Sequence, residues 1–138
     1  MINDRLSFSN PSDLFDPTPF GFCHTVKAPA NGEIIYISGQ SGGEGQEHRL
    51  SEDFQHQVQT LLSNLDIALR EHGSGFGDVM KITVLIVAHN AEKLAIWAEE
   101  MKKRWPENKL PASTLIPVPA LALEGMLIEA DAVAFKPV

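Results

Sequence analysis

Residues 79–87, Val-Met-Lys-Ile-Thr-Val-Leu-Ile-Val, constrain the fold more than any other stretch of this chain. A run so rich in β-branched residues, with no glycine or proline, reads as a strand. Alternation places Met80, Ile82, Val84 and Ile86 on one face and Lys81, Thr83, Leu85 and Val87 on the other. The first face is apolar and calls for helices packed on it. The second is half apolar, so helices on one side alone would leave Leu85 and Val87 bare; self-association is the simplest cover.

Two stretches supply those helices. Phe54, Val58, Leu61, Leu62, Leu65 and Leu69 recur at three- and four-residue spacing and make one apolar stripe. Ser51 is the expected N-cap, with Glu52 and Asp53 in the first turn, and Gly73 the expected residue just past the end. A second helix starts at Asn90, carries Leu94, Trp97, Ala98, Met101 and Trp105 as its stripe, and stops at Pro106. The basic run Lys102-Lys103-Arg104 closes its last turn, where cations complement the dipole.

Residues 22–27 and 33–38 read as strands, and Asn31-Gly32 between them as a hairpin turn. Gly39 and the run 41–45 break the second strand into a loop. Two more strands, 112–118 and 126–135, close the chain; Pro117 and Pro119 put the first of them at an edge or let its end fray. The order is β-β-α-β-α-β-β: a single α+β domain, one sheet with two helices on one face. Residues 1–20 stand apart as an extended arm held open by Pro17 and Pro19, followed by the domain at 21–138. Phe8, Leu14, Phe15 and Phe20 let the arm lie on the body or on a neighbour; a loosely ordered tail is the other reading.

The formal charge of -7 repels a phosphate backbone, so a nucleic-acid partner is not expected. One cysteine, Cys23, allows no intrachain disulfide. The N-terminus lacks an apolar run of signal-peptide length and no stretch is long enough to span a bilayer, so the expectation is a cytoplasmic protein with no membrane partner.

No phosphate loop, nucleophile elbow or cysteine-pair metal site is present. The histidines at 24, 48, 56, 72 and 89 show no i, i+4 pairing on a helix, so no metal and no cofactor is expected. Glu129 and Asp131 alternate with Ile128, Ala130 and Ala132 and share one strand face with the apolar Leu127, Val133 and Phe135. A carboxylate there must be paired, hydrogen-bonded or protonated: it either sits at a sheet edge or is satisfied by a subunit neighbour, or it is a general base that positions water. Cys23 reads as a small buried apolar residue.

These segments together resemble the Rid family (YjgF/YER057c/UK114) of small trimeric proteins over roughly residues 21–135. The resemblance is carried by Phe22-Cys23-His24-Thr25-Val26, Ile37-Ser38-Gly39-Gln40, Gln57 with Asn64-Leu65, Lys81-Ile82-Thr83-Val84, Pro111-Ala112-Ser113-Thr114 and Ile128-Glu129-Ala130-Asp131-Ala132. It implies a chorismate-mutase-like fold and a homotrimer with small-molecule clefts between subunits. Active members grip a substrate carboxylate with an arginine and position water with a glutamate at the place of Glu129. Ser38, Gly39, and Phe22 or Cys23 match other pocket positions. Ser113 stands where the arginine would be, and a neutral hydroxyl supplies neither the charge nor the fork. Losing such a contact costs on the order of 2–5 kcal/mol. Three readings follow: a diverged imine or enamine hydrolase using Glu129, a non-catalytic small-molecule-binding trimer, and, disfavoured by charge, an endoribonuclease.

Overall fold

The computed structural model describes residues 5–138. Its strands are β1 (Ser7–Ser9), β2 (Thr25–Lys27), β3 (Gly32–Ser41), β4 (Val79–Val87), β5 (Ala112–Val118) and β6 (Ile128–Pro137). The helices are α1 (Phe54–Glu71) and α2 (Ala91–Arg104), with single 3-10 turns at Thr18–Phe20 and Phe76–Asp78. Strands β3, β6, β4 and β5 form one mixed sheet in that spatial order; β5 runs parallel to β4 and the other pairs are antiparallel. Both helices pack on one face, giving the expected α+β domain.

The helical stripes and the inward strand residues make the core. Val58, Leu61, Leu62, Leu65 and Leu69 of α1 are fully buried, as are Ile82, Val84 and Ile86 of β4. On the central strand β6 the inward positions after Ile128 are alanines 130, 132 and 134, which leave room for the larger side chains of α1 and β4. Gly73 adopts φ 70, as the residue that ends α1 must. Asp53 rather than Ser51 caps α1, accepting from the amide of His56 at 2.9 Å. The Ser51 hydroxyl accepts one step earlier, from the amide of Asp53. In β4 the pairing with β6 shifts between Val79 and Lys81, so Val79 is fully buried and Met80, expected inside, is only half-buried.

The expected hairpin across Asn31-Gly32 does not form. β2 pairs with β1 in a separate two-stranded ribbon, and β3 pairs with β6. The expected first strand is shortened because the amide of Cys23 donates to the carbonyl of Pro111, tying residues 22–23 to the start of β5. Gly32 answers a different demand: a Cβ there would come within 2.0 Å of the buried Phe135 ring.

The arm lies on the body from residue 5 onward; its first four residues fall outside the described ones. Pro17 and Gly21 are buried, and a Cβ on Gly21 would sit 3.0 Å from the Ala98 backbone of α2. The second face of the sheet carries no helix: Tyr36 is 79% exposed and Ile34 56%, with Leu85, Val87 and Val133 half-buried beside them. β5 is an edge strand, consistent with Pro117 in it.

Candidate functional site

Glu129 projects from β6 on the uncovered face, half-buried, opposite Leu85 of β4 and Ser41 of β3. Its seat is a bulge. The β3–β6 register shifts between Ile37 and Gln40, so Ser38 and Gly39 swing out of the ladder and are exposed. The Glu129 carboxylate lies over Gly39, where a Cβ would meet Oε1 at 2.1 Å. Among the described residues it has neither a hydrogen bond nor an ion pair, and partial exposure lets water solvate it. The structure therefore brings Glu129, Ser38 and Gly39 together. Asp131, on the same face opposite Thr83, is exposed, whereas Leu127 packs against the core.

Two side-chain amides, one buried and one half-buried, hold this region. Gln57 is fully buried; it donates to the carbonyls of Ser51 and Gly125 and accepts from the amide of Leu127, which fixes the entry to β6. Asn64 donates to the carbonyls of Ser41 and Gly43 and fixes the exit from β3. Both hold backbone next to Glu129: Leu127 lies two residues before it and Ser41 pairs with it. The Ser41 hydroxyl, next to it in register, is hydrogen-bonded to Nε2 of His48, a pair the sequence did not reveal because His48 arrives from a loop.

Ser113 lies elsewhere. It pairs with buried Ile82, so it faces the helix side of β5, and Glu129 faces the other side. It opens into a cleft of about 370 Å³ walled by Phe15, Phe20 and Phe22, by Leu94 and Trp97 of α2, and by Leu115. Phe22 also lines a second cavity of about 540 Å³ with Cys23, Phe8, Lys102 and Trp105. Cys23 is buried and its thiol donates to the carbonyl of Thr25; burial pushes its pKa above the ordinary 9.0, so it is held as a thiol. The candidate positions thus fall in two groups: Glu129 with Ser38 and Gly39, and Ser113 with Phe22, Cys23 lying behind Phe22.

Among the described residues no cation lines the Ser113 cleft. The nearest lysine in register, Lys81, donates from Nζ to the Thr114 hydroxyl at 2.6 Å on the opposite face. Phe15 and Phe20 were legible only as apolar arm residues. The signal that could have placed them is clustering: Phe8, Phe15, Phe20 and Phe22 are more than half of the seven phenylalanines. Among the described residues no cluster of three or more His, Cys, Asp or Glu could hold a metal, and no helix is long and apolar enough to cross a membrane.

Residues 20–136 match the family described as Endoribonuclease L-PSP. A RutC family protein of Pyrococcus abyssi is 28% identical over 122 residues, covering 87% of this chain and 91% of that protein. Among solved structures, YyfB of Yersinia pestis, a conserved Rid family protein of unknown function, superposes with a TM-score of 0.84 at 30% identity, covering 94% of this chain and 97% of that one. RidA of an Antarctic Psychrobacter follows the same path with a TM-score of 0.68 at 25% identity over 80% of this chain and 86% of its own. With the match spanning sheet, helices and both groups of candidate residues, the chain belongs to the Rid (YjgF/YER057c/UK114) family.

Proposed function

We propose that this protein is a trimer that hydrolyses a small imine or enamine lacking a carboxylate at the position the family's arginine would grip. The observation that carries the reading is Glu129: a half-buried carboxylate, seated on Gly39, with no partner among the described residues. Such a group is available to orient and deprotonate a water. Water adds to the C=N carbon as Glu129 accepts its proton, and Glu129 then returns that proton to the nitrogen. The resulting carbinolamine then expels ammonia and leaves a carbonyl. An enamine enters after tautomerising to the imine.

Because Ser113 and Glu129 occupy opposite faces of one sheet, a single site containing both needs two chains. The uncovered face with Tyr36 and Ile34 exposed and the edge strand β5 are the surfaces a neighbour would cover. Each cleft then takes its ligand pocket from the Ser113 side of one subunit and its carboxylate from another. The arm contributes a pocket wall, and a cytoplasmic setting suits the single buried thiol.

Ammonia release from freshly generated neutral imines tests the reading, with Glu129→Gln as the control. Turnover lost in the variant supports it; an inert wild type across neutral and acidic imines overturns it. A non-catalytic binder is the second reading, favoured by the separation of Ser113 from Glu129 within one chain. RNA cleavage, which the family description names, is disfavoured by the charge of -7.

A further inference from the structure

The Ser113 cleft has an unusual lining for a family site expected to hold an anion. Phe15 and Phe20 of the arm, together with Phe22, face Leu94 and Trp97 of α2 across it, and among the described residues its only polar side chain is that of Ser113. The Ser113 hydroxyl has no hydrogen-bond partner among the described residues and is not sealed from solvent. An anion entering such a cleft would shed hydration without gaining an ion pair. A neutral ring would bury apolar surface against this subunit's walls and find one hydroxyl, while a neighbour's Glu129 at the same cleft would repel an anion further.

The arm residues are set in place before any ligand arrives. Phe15 makes edge-to-face contacts with Phe20 at 6.1 Å, Phe22 at 6.2 Å and His24 at 4.9 Å. The His24 ring is hydrogen-bonded through Nε2 to the Phe15 carbonyl at 2.7 Å, and its amide donates to Asn10. Pro17 and Gly21 anchor the segment against the body. Phe15 and Phe20 nevertheless remain 61% and 44% exposed, apolar surface that an occupant of the cleft would cover.

We propose that the cleft binds a neutral, flat aromatic ligand whose single polar group is met by the Ser113 hydroxyl, with the arm's Phe15 and Phe20 as the outer wall. This rests on reading Ser113 as a ligand-binding position, and it assigns that position a ligand class. It does not require the hydrolytic step. At about 370 Å³ the cleft is at the small end of ligand sites, so the ligand is one ring with a short substituent.

The test uses the full-length protein and two probes of nearly equal shape, benzamide and benzoate. Binding is followed by calorimetry and by tryptophan fluorescence, with Trp105→Phe leaving Trp97 as the sole reporter. The expected result is saturable benzamide binding that perturbs Trp97, with benzoate weaker by about tenfold or more. Phe20→Ala should weaken benzamide by about tenfold. Ser113→Arg should reverse the preference toward benzoate. Equal or tighter benzoate binding in the wild type overturns the proposal. So does absence of benzamide binding, including the case in which Phe20→Ala changes the oligomeric mass because a second copy fills the cleft. Measuring turnover on the same preparation separates the two claims: benzamide binding without imine turnover overturns only the hydrolytic reading, and the reverse overturns only this one.

Discussion

Ser113 and Glu129 lie on opposite faces of one sheet: Ser113 pairs with buried Ile82 on the helix side, and Glu129 pairs with Leu85 on the uncovered side. No side-chain rotation brings them together within a chain. A site using both therefore belongs to an assembly, and co-expression tests this. Glu129→Gln and Ser113→Trp trimers should each be inactive, while mixed trimers should recover about a quarter of wild-type activity by random pairing of intact halves across subunits. Size-exclusion with light scattering should give three chains per particle; no recovery in a proven mixed trimer would place the site within one chain.

Gly39→Ala should separate stability from function. The added methyl collides with Glu129 Oε1, the far end of a mobile side chain, so the carboxylate moves and the backbone stays. Urea unfolding should change by less than about 1 kcal/mol, while any Glu129-dependent turnover falls by about tenfold or more.

Glu100 is the most buried charge among the described residues, 1% exposed on α2, accepting from Gln59, Lys103 and Arg104. Burial alone would raise its pKa, but those hydrogen bonds and the charge of Arg104 outweigh it and hold the carboxyl below the ordinary 4.5. A depressed folded pKa means the unfolded chain binds the proton more tightly. The stabilisation is thus present above pH 4.5 and lost as pH falls below it toward the folded pKa. Glu100→Gln should cost about 1–3 kcal/mol at pH 7 by urea unfolding and much less at pH 3.

Cys23 should be a poor nucleophile. Its burial and raised pKa predict alkylation by iodoacetamide at pH 8 at least about tenfold slower in the native protein than in guanidinium, followed by mass spectrometry. Equal rates would mean that residues 22–23 leave the body readily.

Local signals in the sequence carried much of this architecture. The α1 stripe, the stop at Pro106 and the turn at Gly73 each depend on neighbours within a few residues, and each stands as read. Asn31-Gly32 misled because the same two letters that favour a tight turn also satisfy a long-range packing need, here the Phe135 ring over Gly32. Glu129 was legible as a carboxylate on a half-apolar strand face; Gly39, expected to end the strand, instead sits in a bulge through which β3 continues to Ser41. Their contact was not, since it depends on a bulge that only the β3–β6 register defines. Likewise, which face Ser113 takes follows from its parallel pairing with β4, set by a crossover through α2 that no local pattern encodes. The arm's aromatics announced that they would pack; α2 and β5 as their partners could be seen only in three dimensions.

The most direct measurement is ammonia release from freshly generated imines, neutral and carboxylate-bearing, by the wild type, Glu129→Gln and Ser113→Arg. The account predicts turnover of neutral imines that Glu129→Gln abolishes, with carboxylate-bearing imines processed only by Ser113→Arg. Efficient turnover of carboxylate-bearing imines by the wild type, or turnover that survives Glu129→Gln, would contradict it.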